Sequence, residues 1–248
     1  GRQGPYLAVK LADRLGRIAG RWFDPPEQAE AHLRGWRVVE VAGRVERYRE
    51  EPQLVIDHVA PIPADEAIPW HDLQPVSPEE ADLLLADLSG RLTSATNPWL
   101  AKLAAAYFAD EPFSRRFARI PAALRYHHAY PHGLLVHTRS AVLLGERICE
   151  HYPWLDADLV RFGLFLHDSG KAFEFELDET GKTQHSLPGE LVGHIVLGAN
   201  YLDRKLREIE GFPSLLANKL RHLIVSHHGK LEFGSPKPPM FAEAWVVH

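Results

Sequence analysis

Hydrophobic and polar positions change period once along this chain. Up to about residue 65 they alternate: "PYLAVKLAD", "GRIAGRWFD", "WRVVEVAGRVERY" and "PQLVIDHVAPI" are strand-like runs broken by Gly, Pro and Asp. Their spacing predicts a small all-β unit. In the first run Leu7, Val9 and Leu11 fall on one side, Tyr6, Ala8 and Lys10 on the other. The second run separates Ile18 and Trp22 from Arg17, Ala19, Arg21 and Phe23. From about residue 66 the composition shifts, and "PADEAIPWHDLQPVSP" predicts a proline-rich linker over 66–76. Beyond it the period is helical. Ser77 with Pro78, Glu79 and Glu80 makes a helix start, with a capping side chain, a first-turn proline and early carboxylates. Asn97 with Pro98 repeats that signal. Further helices are expected over roughly 133–151, 156–168, 187–209, 213–228 and from about 240 onward. The pattern predicts an α+β chain of two domains, a β-rich one over 1–65 and a helical one over 77–248.

Composition supports folded domains. The 248 residues are 45% hydrophobic and 25% charged, ordinary values for a soluble globular protein with a real core. The single cysteine, Cys149, excludes an internal disulfide framework, and its place in a helical pattern suits a small buried hydrophobe. No apolar run approaches the ~20 residues that cross a bilayer. No charged-then-apolar leader is recognisable, so membrane and export readings drop out and a reducing, cytoplasmic setting is expected. The net charge of −5 argues mildly against non-specific binding of nucleic acid by the whole molecule. Residues 1–49 nevertheless hold ten Lys or Arg against six Asp or Glu. If the first two strands pair, their outer face mixes Tyr6 and Phe23 with Lys10, Arg17 and Arg21. Rings that stack on bases and cations that track phosphates make a single-strand platform. An ordinary solvated face fits the same pattern.

The helical half carries the sharper signal. His137 in "GLLVHT", His167 with Asp168 in "GLFLHDSGK", His194 in "LVGHIV" and the His227–His228 pair in "IVSHHG" sit where the pattern is otherwise apolar. Singly, each suits a satisfied core or helix-end histidine. Together they point to a metal, because buried charge is costly unless paired or coordinated, and imidazole with carboxylate suits divalent transition ions. Helical bundles assemble such sites from facing helices. Adjacent His and Asp can serve two sides of one position, so that Asp168 bridges two ions; a binuclear centre can activate water and clamp a phosphate.

The order H, HD, H, H resembles the HD superfamily of metal-dependent phosphohydrolases. The strings "HHAYPHGLLVHT", "GLFLHDSGKAFEF", "GHIVLGANYL" and "IVSHHGKLEFGSP" are similar to its YhaM-type 3′-to-5′ exoribonuclease branch, in which an OB-fold domain precedes the HD domain. "GPYLAVKLADRLGRIAGRWFD" and "QLVIDHVAPI" match that first half in order and character. The resemblance implies a partial OB-like β-barrel followed by an all-α HD bundle. It implies metal ligation by His137, His167, Asp168, His194 and one or both of His227 and His228. Chemistry would centre on His167 and Asp168, with Lys171 approaching a substrate phosphate; a carboxylate-paired lysine is the alternative. His127 and His128 would lie near the site entrance, facing substrate or supporting the ligands, and "GSP" at 234–236 would shape the loop after the histidine pair.

The resemblance also implies a barrel strand before "PYLAVKLAD" and a ligand aspartate after "EAWVVH", so both ends look trimmed relative to the family. The implied activity is trimming of single-stranded RNA, or DNA, from the 3′ end by metal-activated water. Two ions are expected, manganese first, with iron, cobalt, nickel or zinc also acceptable to this ligand set. Two other readings remain open: a nucleotide or cyclic-nucleotide phosphohydrolase, and a non-catalytic nucleic-acid-binding adaptor whose HD bundle is structural. The sequence leaves open whether the chain is a monomer or a homo-oligomer.

Overall fold

The computed structural model describes residues 6–13, 16–35, 38–62, 73, 76, 78–124, 128–177 and 183–248. Most of the expected linker, the Ser77 cap and His127 lie outside the described residues. The described residues form two compact units, one before Pro78 and one made of Pro78–Leu177 and Thr183–His248.

In the first unit the four alternating runs become strands β1 (Tyr6–Ala12), β2 (Arg17–Phe23), β3 (Val39–Tyr48) and β4 (Glu51–Pro61), with helix α1 (Ala29–Gly35) between β2 and β3. The sheet order is β1-β2-β4-β3. β2 runs parallel to β4, whereas β1 with β2 and β3 with β4 pair antiparallel. Parity behaves as expected: Leu7, Val9 and Leu11 join Trp22, Ile56 and Val59 in the core, with Ala29 and Leu33 of α1 completing it. The unit is therefore not all-β, because "AEAHLRG" is a short helix. The sheet is open, with β1 and β3 at its edges; no closed barrel is present among the described residues.

The second unit is a helical bundle. Its elements are α2 (Pro78–Thr93), α3 (Pro98–Phe108), α4 (Glu111–Arg119), α5 (Gly133–His151), α6 (Ala157–Leu166), α7 (Lys171–Glu174), α8 (Leu187–Val192), α9 (His194–Arg207), α10 (Ser214–Ser226) and α11 (Ala242–Val247). It is not wholly helical, since β5 (Phe175–Leu177) pairs antiparallel with β6 (Thr183–His185). The predicted single helix over 187–209 is two helices. Gly193 separates them with φ +77, a left-handed conformation that L side chains rarely adopt.

The centre of the bundle is α6. Leu159, Val160, Phe162, Phe165 and Leu166 are fully buried. Phe165 meets Tyr107 edge-on at 5.3 Å and Phe117 at 5.6 Å, and Phe113 stacks on Tyr201 at 4.8 Å. Each such ring contributes roughly 1.5–3 kcal/mol by leaving water. The start of α6 is fixed as firmly. Asp156 caps it by accepting the Leu159 N–H at 3.0 Å, and buried Asp158 accepts from the Thr96 hydroxyl, the Asn97 N–H and Arg161. Asn97 in turn caps α3, accepting the Trp99 N–H at 3.0 Å. A helix held along its length delivers its last residue to a fixed place, and the residues that follow are His167 and Asp168.

Candidate metal centre

His167 ends α6, and the turn 167–170 carries Asp168 before α7 begins at Lys171. Both side chains are buried, Asp168 3% exposed. Around them stand His137 from α5, His194 at the first residue of α9, and His227 and His228 at the end of α10. The carboxylate divides its neighbours. Asp168 Oδ2 lies 3.2 Å from His167 Nε2, 3.4 Å from His137 Nε2 and 2.9 Å from Lys171 Nζ. Its other oxygen, Oδ1, lies 3.6 Å from His194 Nε2 and 3.8 Å from His227 Nε2. Two groups could each hold an ion: His137 with His167 and Asp168, and His194 with His227 and His228.

The far nitrogens of the rings decide what the near ones can do. His167 Nδ1–H donates to the Leu164 carbonyl at 2.8 Å, His227 Nδ1–H to Ile224 at 2.7 Å, and His228 Nδ1–H to Phe233. A carbonyl only accepts, so each of these rings keeps a proton on Nδ1 and turns its Nε2 inward. His194 is fixed by a carboxylate instead. Glu174 Oε1 lies 3.1 Å from its Nδ1 and accepts its backbone N–H at 3.0 Å. Imidazole nitrogens therefore converge on a carboxylate, with Lys171 as the close cation. Asp168 Oδ1, His194 Nε2 and His227 Nε2 are buried without a hydrogen bond. Such atoms are costly as they stand and suited to a cation. The residues fit a divalent metal.

Electrostatics agree. Burial, reinforced by the charge of His167, pushes His137 down to about 4 and His227 down to about 3. Burial also lowers His228. These imidazoles are neutral at physiological pH, the form that ligates. For Asp168 burial opposes ionisation, but the charge and hydrogen bond of His167, with Lys171 and His194, outweigh it and hold the carboxyl well below its usual range.

The expected residues separate by location. The six metal candidates and Lys171 come together; Lys171 pairs with Asp168, as in the alternative reading of that lysine. His128 sits nearby, its ring 5.7 Å from that of His137 and its Nδ1 2.7 Å from the Tyr130 hydroxyl. Gly234 takes a left-handed turn, and Ser235 Oγ accepts the His228 N–H at 2.9 Å, so the loop does shape the pair's surroundings. In the other unit Tyr6, Lys10, Arg17, Arg21 and Phe23 share one face through the register Tyr6↔Phe23, Ala8↔Arg21, Lys10↔Ala19 and Ala12↔Arg17. Arg21 lies over the rings of Tyr6 at 4.9 Å and Tyr48 at 4.5 Å.

Two contributors escape the sequence reading. Glu174 carries the signal used for the histidines, a charged residue inside the apolar run "AFEF". Tyr48 carries none, because only the sheet order brings β3 to that face.

The comparisons accord with this geometry. Residues 134–248 match the family model for the HD domain. The 3′-5′ exoribonuclease YhaM of Bacillus subtilis (strain 168) is 32% identical over 244 residues, covering 98% of this chain and 76% of that protein. The protein of the same name from Shouchella clausii (strain KSM-K16) is 33% identical over 246 residues, with 98% and 75% covered. No solved structure matches significantly. With a third of its residues shared along nearly its whole length, the chain belongs to the YhaM family of HD-domain 3′-5′ exoribonucleases.

Proposed function

We propose that this chain is a metal-dependent phosphodiesterase that removes nucleotides from the 3′ end of single-stranded RNA or DNA. The observation that carries this reading is the buried set Asp168 Oδ1, His194 Nε2 and His227 Nε2, none of which has a hydrogen bond, in a chain aligned to an exoribonuclease over 98% of its length. His137, His167 and Asp168 would hold one ion, and His194, His227 and His228 a second, with Asp168 between them. Manganese suits this mixed imidazole and carboxylate set, as do iron, cobalt, nickel and zinc. When bound, such ions polarise a phosphoryl group and acidify water.

The protein's own residues do the rest. Backbone carbonyls hold His167, His227 and His228 and Glu174 holds His194, so these rings need no reorganisation as charge develops. Lys171 brings a positive charge to the carboxylate and would meet negative charge on the nonbridging oxygens. No side chain is needed as nucleophile. His128 would face the substrate at the entrance.

The N-terminal unit would hold the strand. Its strand order and its parallel β2–β4 pair suit an OB-like barrel with β1 and β2 as the second and third strands, the face on which OB folds bind oligonucleotides. Tyr6, Arg21, Phe23 and Tyr48 would stack on bases while Lys10 and Arg17 track phosphates. Linear and circular single-stranded RNA of one sequence, each incubated with manganese, test the reading. Loss of the linear form alone is expected; cleavage of the circle, or of neither, would contradict it.

A further inference from the structure

The turn after the histidine pair is built against the candidate metal centre. Phe233 N–H and Ser235 N–H both donate to the Lys230 carbonyl at 3.1 Å, and Gly234 N–H donates to Leu231 at 2.9 Å. Ser235 is buried and receives the His228 N–H; the Phe233 carbonyl receives His228 Nδ1–H. Two hydrogen bonds thus lock the turn to a ring 4.1 Å from His227 and 5.2 Å from His194. This closed turn nevertheless leaves Phe233 62% and Leu231 80% exposed. Exposed Lys230 and Lys237 flank them. A single exposed apolar side chain needs no explanation. A phenyl ring whose own carbonyl holds a candidate ligand in place is a different case.

We propose that Phe233 is a base-stacking subsite, which seats the nucleobase of the substrate's terminal nucleotide while its phosphodiester lies at the histidine and aspartate cluster; the proposal rests on the exonuclease reading above. A ring accepts every base by its π-face, as an enzyme that removes successive nucleotides requires. The flanking lysines would meet the adjoining phosphates. Leu231 would extend the apolar wall.

The test uses two RNA oligomers, one ending in an ordinary nucleotide and one whose 3′-terminal nucleotide lacks its base. Phe233→Ala should lower kcat/KM on the ordinary end about tenfold, chiefly through KM, and leave the abasic end unchanged. Phe233→Trp should restore the difference, and metal content per chain should be the same in all three proteins. Binding measured without divalent metal should show the same preference for the base-bearing end in the parent, and its loss in Phe233→Ala. Equal losses on both oligomers, no loss on either, or altered metal content would overturn the proposal. If the parent cleaves neither oligomer but still discriminates in binding through Phe233, the subsite stands and the exonuclease reading falls.

Discussion

At Asp168 two oxygens divide five neighbours, and three of these, His167, His194 and His227, are held from behind. That arrangement makes residue-scale outcomes specific. Asp168→Ala removes the group common to both halves, so metal measured per chain should fall to near background and RNA hydrolysis should fall with it. Glu174→Gln keeps the shape of the support but not its charge, and such partners behind a ligand typically affect metal affinity about 10- to 100-fold. Titration calorimetry should show weaker metal binding with an unchanged circular dichroism spectrum; unchanged affinity would deny Glu174 its role. The depressed histidines also fix a pH dependence for the metal-free protein. His137 at about 4 and His227 at about 3 lie below the ~6.5 of an unfolded histidine, so the unfolded chain binds more protons in that interval. Stability is therefore greatest above pH ~6.5 and is lost as pH falls toward 4. The lowered Asp168 adds to the loss below its unfolded value. Thermal midpoints of the metal-free protein should decline steadily across that range, and a flat profile would contradict the burial assigned to these rings.

Among the elements, the Asp168 turn and α9 approach closely. A Cβ at Gly170 would lie 1.9 Å from the His194 carbonyl oxygen and 2.7 Å from the Gly198 nitrogen, both backbone atoms that a side-chain adjustment cannot clear. Gly170→Ala should therefore push Asp168 and His194 apart, costing about 1–3 kcal/mol of stability and weakening metal retention together. Denaturant unfolding beside metal analysis would show whether the two losses coincide. Much at this scale was legible in the sequence. Strand parity placed Leu7, Val9, Trp22 and Arg21 on their proper faces, and the Asn97–Pro98 start of α3 was plain from its capping chemistry. The break at Gly193 was not, since one glycine inside a helical period is tolerated and its φ is set by what surrounds it. Helix α1 and the β5–β6 hairpin are too short for period alone to declare.

For the molecule as a whole, no helix among the described residues is long and apolar enough to cross a membrane. The chemistry of the metal centre could be read from residue types before any coordinates, because histidines on apolar faces are conspicuous. Which oxygen faces which ring, and the support from Glu174, came only from tertiary packing. The same holds for Tyr48, which joins Arg21 through a strand order that no local pattern encodes. The face they share makes its own prediction: Tyr48→Ala or Phe23→Ala should weaken single-strand binding by about 1–3 kcal/mol in a filter or anisotropy assay. Binding should also weaken as salt rises. The central claim is tested most directly by incubating the protein and its Asp168→Ala variant with manganese and a 5′-labelled single-stranded RNA, and resolving the products over time. A ladder that shortens from the 3′ end in the parent alone is the predicted result; intact RNA with both proteins, or the same ladder from the variant, would contradict it.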